Sequence, residues 1–129
     1  HAHAGLRLPV HCTALGKCLL SRLPDDEARR RAGREPYAAR TPRTISSWDA
    51  LARELRRVRR DGVARSNEEY EAGLTSFAVP LHRLAGDEPV AVNVSLPSSR
   101  AGRDAAAALI RELEETAAAI ERAAGVAAA

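Results

Sequence analysis

Residues 74–97 have the sequence LTSFAVPLHRLAGDEPVAVNVSLP, and this stretch decides the fold. Large and small side chains alternate along both of its halves, and an Ala-Gly-Asp segment at 85–87 separates the halves. Alternation with a period of two is typical of strands, and a short connection that contains glycine favours an antiparallel hairpin. The stretch therefore predicts two antiparallel strands, over residues 74–83 and 89–96.

The two faces of this hairpin differ in chemistry. Large apolar side chains, such as Phe77 and Val79, share one face, whereas Ser76, Asn93 and Ser95 share the other with small residues. Small polar side chains at strand centres leave room for a small organic acid and can donate hydrogen bonds to it. The alternative is that this face is exposed to solvent, as one face of an antiparallel sheet often is.

Helices flank the hairpin in the sequence. Apolar spacing and capping residues predict four helices. They cover residues 13–23, residues 25–32 with Asp25 as the cap, the stretch that follows the capping box Ser46-Ser47-Trp48-Asp49, and residues 104–124. A weak strand is predicted over residues 63–70. Because helices come first and the strands follow one another, the pattern indicates an α+β domain with an antiparallel sheet flanked by helices. Two or three strands are few for these helices, so we expect further strands on the N-terminal side of a truncated domain.

The start of the first helix, residues 11–17 (HCTALGK), is a second candidate binding position. The first N–H groups of a helix lack intrahelical partners and attract anions, and the small residues Ala14 and Gly16 would let a ligand approach the backbone. Ordinary capping and close helix–sheet packing are the alternative explanation.

Composition limits the remaining function classes. The chain has 129 residues, 45% of them hydrophobic, which suits one domain over residues 1–129. Its four aromatic residues are too few for a surface that stacks nucleic-acid bases. Arginine runs at 29–31 and 53–60 indicate either solvated helix faces or an anion-binding surface. No stretch approaches about 20 apolar residues, so no membrane segment is expected.

Catalytic and metal-binding patterns are absent from the sequence. Two cysteines, Cys12 and Cys18, are too few for a disulfide framework, which favours a reducing cytoplasm. The histidines, including His1 and His3, lack the spacing of metal ligands. We therefore predict no enzyme activity, no metal and no cofactor. A small enzyme that uses Cys12 and His11 remains an alternative, although neighbours in sequence seldom have productive geometry.

Several stretches, in this order, carry a family resemblance: 7–20 (RLPVHCTALGKCLL), 41–45 (TPRTI), 58–62 (VRRDG), 73–81 (GLTSFAVPL), 92–95 (VNVS) and 99–100 (SR). Together they resemble the effector-binding domain of IclR-family transcriptional regulators. The resemblance implies a GAF-like α+β domain that binds a small metabolite and forms homo-oligomers. It also implies that DNA is bound only through a winged helix-turn-helix domain that this chain lacks.

The resemblance also implies a set of effector-binding residues. These are Ala14 and Leu15 on the first helix, and Leu74, Ser76, Asn93 and Ser95 on the hairpin. Members that bind glyoxylate or pyruvate carry other residues at positions 66, 76 and 93, where this chain has Ser66, Ser76 and Asn93. The residues at these positions in this chain look more like those of the family's regulators of aromatic-acid and β-ketoadipate pathways. The expected effector is therefore a hydroxybenzoate, protocatechuate or β-ketoadipate.

The prediction is thus a sensing domain for an organic or aromatic acid in a bacterial transcription regulator. One alternative is a dimerisation module with no functional ligand pocket. DNA binding by this chain alone is a weaker alternative, because its basic runs lack a recognition-helix pattern.

Overall fold

The computed structural model describes residues 8–82, 86 and 88–125 of the chain. In chain order the elements are helices α1 (Ala14–Ser21), α2 (Asp25–Ala32) and α3 (Trp48–Asp61), strands β1 (Ala64–Asn67), β2 (Leu74–Leu81) and β3 (Val90–Pro97), a short 3-10 helix (Ser98–Arg100) and helix α4 (Arg103–Ala123). The predicted α+β class with an antiparallel sheet is confirmed. Arg83, the predicted end of β2, lies outside the described residues.

The sheet has the order β1-β2-β3, and both pairings are antiparallel. Its register places Ser66, Ser76 and Ser95 side by side, one on each strand. Residues directly opposite one another on neighbouring strands point to the same face. The three side chains therefore form a row across one face of the sheet, which we call the serine row.

Helix α4 covers the apolar face of the sheet. Phe77 and Val79 are buried there against Leu113 and Ala117 of α4, as the alternation of β2 predicts. The hairpin therefore buries its bulky side chains under the last helix and turns its polar side chains to the opposite face.

Helix α1 covers part of the opposite face, so the expectation of a solvent-exposed face is wrong for β2. Ala78 of β2 is completely buried against Ala14 and Cys18 of α1, and Ser76 is only 8% exposed. On β3 the side chains of Asn93 and Ser95 are exposed. Small residues on both elements allow this close packing of the helix on the sheet.

Two of the predicted helix caps differ from those in the structure. The N-cap of α3 is Ser47 rather than Ser46, and its hydroxyl accepts a hydrogen bond from the Ala50 amide at 3.2 Å. Because the third helical residue is then alanine, the reciprocal bond of a capping box does not form. At α2 the N-cap position is Pro24, and Asp25 is the first helical residue. There it stabilises the positive end of the helix dipole instead of capping it.

None of the helices in the described part of the chain is long and apolar enough to cross a membrane.

Candidate functional site

A cavity of about 90 Å³ lies between the start of α1 and the serine row. The six residues predicted for effector binding all line it: Ala14, Leu15, Leu74, Ser76, Asn93 and Ser95. Four further residues line the cavity outside that set: Leu8, Tyr70, Thr13 of the candidate stretch 11–17, and Ser66. The two stretches singled out in the sequence, the helix start and the polar face of the hairpin, therefore meet at one cavity.

The three hydroxyl groups of the serine row have different surroundings. The hydroxyl of Ser66 donates a hydrogen bond to the Cys12 carbonyl at 2.6 Å, which ties β1 to the segment before α1. Ser76 is more than nine-tenths buried, and within the described residues its hydroxyl has no hydrogen-bond partner. Ser95 is exposed at the mouth of the cavity. Ser76 thus offers a free donor and acceptor inside the cavity.

Helix α1 presents free backbone donors to the same cavity. Its N-cap, Thr13, donates to the Pro9 carbonyl at 2.6 Å and accepts from the Gly16 amide at 3.0 Å. This leaves the amides of Ala14 and Leu15 as the first N–H groups of the helix, and neither has a partner among the described residues. Such groups, at the positive end of a helix dipole, favour an anion.

No charged side chain lines the cavity in the part of the chain that the structure describes. One lining residue, Tyr70, contacts a charged group outside the cavity, since the guanidinium carbon of Arg40 lies 4.6 Å from the centroid of its ring. The donors inside the cavity are therefore neutral hydroxyl, amide and backbone groups. They can hold a carboxylate by hydrogen bonds without a fixed counter-ion.

The thiol of Cys12 does not have the surroundings of a nucleophile. Burial raises the pKa of Cys12 to about 11 and that of Cys18 to about 12. The side chain of the adjacent His11 points to the Ala38 carbonyl, with its Nε2 atom 2.9 Å from the oxygen. The alternative of a thiol enzyme is therefore not supported.

We expect neither cysteine to react with Ellman's reagent at pH 8 while the chain is folded. Both side chains are completely buried, and at a pKa of about 11 only about a thousandth of the Cys12 thiol is ionised at that pH. Two thiols should react once denaturant is added. Fast reaction of one thiol in the folded protein would contradict this assignment.

The described residues contain no group of side chains that could hold a metal ion. His1 and His3 lie outside the described residues. Several arginines of the basic runs contact acidic residues: Glu27 pairs with both Arg30 and Arg31, and Asp25 pairs with Arg59. These pairs favour a solvated helix face for the two runs.

A family model described as bacterial transcriptional regulator IclR C-terminal matches residues 1–122. The chain belongs to this family. An IclR-family relative, the Pca regulon regulatory protein of Pseudomonas putida, is 37% identical over 77% of this chain and 34% of its own length. Among solved structures, the C-terminal domain of the E. coli transcriptional regulator KdgR is 34% identical, covers 88% of this chain and 69% of that chain, and superposes with a TM-score of 0.79.

A further solved structure contains a bound small acid. It is a double mutant of the inducer binding domain of the PobR transcription factor from Acinetobacter, in complex with 3-hydroxybenzoic acid. It is 29% identical, has a TM-score of 0.79, and covers 92% of this chain and 68% of that chain. The prediction of an IclR-type effector-domain fold is confirmed, and the family is one of transcriptional regulators rather than of enzymes. The chain spans between about a third and a half of the length of the curated relatives that it matches.

Proposed function

We propose that the cavity binds a small organic acid and that this chain is the effector-sensing domain of a transcription regulator. The observation that carries the proposal is the Ser76 hydroxyl, which lies at the cavity wall on a residue that is only 8% exposed and has no hydrogen-bond partner among the described residues. A hydroxyl that has no partner within the protein can bond to a ligand without breaking an existing protein hydrogen bond.

The two sides of the cavity suit the two ends of such a ligand. The free amides of Ala14 and Leu15 would receive the carboxylate, with Ser76 as a third donor. Side chains of Leu15 and Leu74 would contact its apolar part. Asn93 and Ser95, at the exposed mouth, would bind a hydroxyl or keto group at the far end.

The neutral lining favours an acid over a base or a metal complex. Position 66 is serine, so no carboxylate repels an anionic ligand there. The similarity to the PobR domain supports a hydroxybenzoate, with protocatechuate and β-ketoadipate as the related candidates. In the regulator this effector would select between two packings of a homo-oligomer, for which it must bind the two states with different affinity. The operator DNA would be bound by a domain outside this chain.

Replacing Ser76 with alanine is expected to weaken effector binding at least tenfold. A hydrogen bond from a hydroxyl to a charged group contributes about 1.5–3 kcal/mol, and the change removes little volume. Titration calorimetry against 4-hydroxybenzoate, protocatechuate, β-ketoadipate, pyruvate and glyoxylate would measure it. Ser99→Ala is the matched control, since Ser99 is an exposed serine outside the cavity.

Two results would contradict the proposal. One is equal affinity of the Ser76→Ala and Ser99→Ala variants, which would locate binding elsewhere. The other is the absence of heat with every acid in a chain that circular dichroism shows to be folded. Tight binding of pyruvate or glyoxylate alone would support this cavity as the binding site but would overturn the assignment of an aromatic acid as its ligand.

A dimerisation module without a ligand is the second candidate. The observation that favours it is β3, which is one of the two edge strands of the sheet formed by the described residues, with Val90 39% exposed. An uncovered strand edge can pair with another strand. Self-association that depends on β3, with no binding of any acid, would favour this candidate.

A further inference from the structure

Like Leu8 and Thr13, but unlike the other residues that line the cavity, Tyr70 lies outside the helices and strands. It belongs to the segment 68–73 between β1 and β2, whereas Ala14, Ser76 and Ser95 are on a helix and two strands. Tyrosine is also the largest side chain of the lining. The position of its ring therefore has a strong influence on the size of the cavity.

The backbone of this connection is held firmly by its neighbours. The hydroxyls of Thr41 and Thr44 donate to the carbonyls of Glu68 and Glu69, each at 2.6 Å. The ammonium group of Lys17 lies 2.6 Å from the Glu69 carboxylate. Glu68 has a φ of 57°, an uncommon conformation for a residue other than glycine, which these contacts fix. Tyr70 can therefore change the cavity through its side chain, while its backbone stays in place.

The Tyr70 side chain itself is held weakly. Among the described residues it makes no hydrogen bond, and its ring contact is with Arg40, whose guanidinium carbon is 4.6 Å from the ring centroid. Arg40 is exposed, does not line the cavity, and has no carboxylate partner among the described residues. An exposed cation–π contact of this kind corresponds to about a two- to fivefold effect on an equilibrium.

The cavity is small for a ligand that contains a ring. Its volume is about 90 Å³, whereas an apolar cavity that accommodates benzene has about 150 Å³. An acid the size of pyruvate needs no such space. A ring that enters the cavity fully requires one wall to move, and Tyr70, the largest side chain of the lining, can move without disturbing a helix or a strand.

We propose that Tyr70 determines the size of acid that the site accepts, and that Arg40 is a positioning residue that holds the tyrosine ring in the closed position. Acids with one six-membered ring bind as the ring of Tyr70 turns away from Arg40. Smaller acids bind without this movement. The inference rests on the proposed function, because it assigns a size limit to the same acid site.

The test compares the affinities of three acids for the purified protein: pyruvate, 4-hydroxybenzoate and the two-ring 2-naphthoate. In Tyr70→Ala the affinity for 2-naphthoate relative to pyruvate is expected to rise at least tenfold. In Arg40→Ala the affinity for 4-hydroxybenzoate is expected to rise about two- to fivefold, with no change for pyruvate. Arg40→Lys keeps a cation over the ring and is expected to restore the original ratio.

Arg43→Ala is the matched control, because Arg43 is a neighbouring exposed arginine that contacts Glu68 and not Tyr70. It is expected to leave all three affinities unchanged. Thermal unfolding of each variant checks that the fold is retained, and Tyr70→Leu replaces Tyr70→Ala if the alanine variant does not fold.

The outcomes separate this inference from the proposed function. Failure of the folded, unaltered protein to bind any of these three acids or any acid of the calorimetry panel would overturn both. Binding with affinity ratios that are the same in the unaltered protein and the Tyr70 variants would overturn only the size-limiting role. If Arg43→Ala raised the affinity for 4-hydroxybenzoate relative to pyruvate as much as Arg40→Ala does, Arg40 would have no particular role.

Discussion

Replacing Lys17 with methionine is expected to lower the free energy of unfolding by about 3–5 kcal/mol. The Lys17 side chain is completely buried, and its ammonium group donates to Glu54 at 3.1 Å, to Glu69 at 2.6 Å and to the Arg65 carbonyl at 2.9 Å. These three acceptors use all three of its N–H donors. Methionine fills a similar volume but leaves two largely buried carboxylates without their cation, which accounts for the large expected cost.

A second lysine variant separates the loss of charge from the loss of packing. The double variant Lys17→Met, Glu69→Gln removes the cation and the charge of one of its two carboxylate partners together. Its loss in free energy of unfolding should therefore be smaller than the sum of the losses in the two single variants. Urea unfolding followed by circular dichroism measures all three values. Purely additive costs would mean that the Lys17–Glu69 contact does not stabilise the fold.

Arg57→Met is the control for this series, because Arg57 contacts the same Glu54 at 3.3 Å but is 61% exposed. Solvent screens an exposed pair, so its loss should cost less than about 1 kcal/mol. A cost as large as that of Lys17→Met would contradict the view that burial makes the Lys17 contacts strong.

The buried lysine also links the fold to the cavity. Glu69 is the residue before Tyr70, and Lys17 follows the cavity residues Ala14 and Leu15 on α1. The contact therefore joins the helix that presents free amides to the connection that carries the Tyr70 wall. Loss of Lys17 should alter ligand affinity as well as stability, whereas loss of Arg57 should alter neither strongly.

Much of this arrangement could be predicted from the sequence because it depends on local periodicity. Alternation along 74–97 identifies the two faces of the hairpin, since neighbouring side chains of a strand point to opposite faces. Small residues at the start of α1, Ala14 and Gly16, indicated that its backbone could approach a ligand. These two patterns account for Ala14, Ser76, Asn93 and Ser95, whereas Leu15 and Leu74 were predicted from the resemblance to the IclR family.

The missed residues depend on contacts between distant segments, which periodicity does not describe. Ser66 lies directly opposite Ser76 in the sheet, but this requires the register of β1, and the sequence predicted that strand only as a weak one. Tyr70 reaches the cavity because residues 41 and 44 hold its connection in place. The burial of Lys17 likewise needs three partners from residues 54–69. A single lysine in the apolar stretch 14–20 was the available signal.

Replacing Gly16 with alanine is expected to lower the free energy of unfolding by about 2–3 kcal/mol and to abolish ligand binding. A Cβ atom at this position would lie 2.4 Å from the Val10 Cα atom and 2.8 Å from the Thr13 hydroxyl oxygen. The first neighbour is backbone and cannot rotate away. Alanine gains about 1 kcal/mol of helix propensity, which offsets only part of the overpacking and of the lost Thr13 cap.

The same clash explains the expected effect on binding. Relief of the contact requires the segment 10–13 to move away from α1, and that segment ends at Thr13, which lines the cavity beside the free amides of Ala14 and Leu15. Gly102→Ala is the matched control, since a Cβ atom at Gly102 has no atom within 4 Å and its φ is −65°. The control should cost less than about 1 kcal/mol and keep the affinity for the acid. Full affinity in a folded Gly16→Ala variant would refute the role assigned to the start of α1, because a carboxylate held by these amides cannot tolerate their displacement.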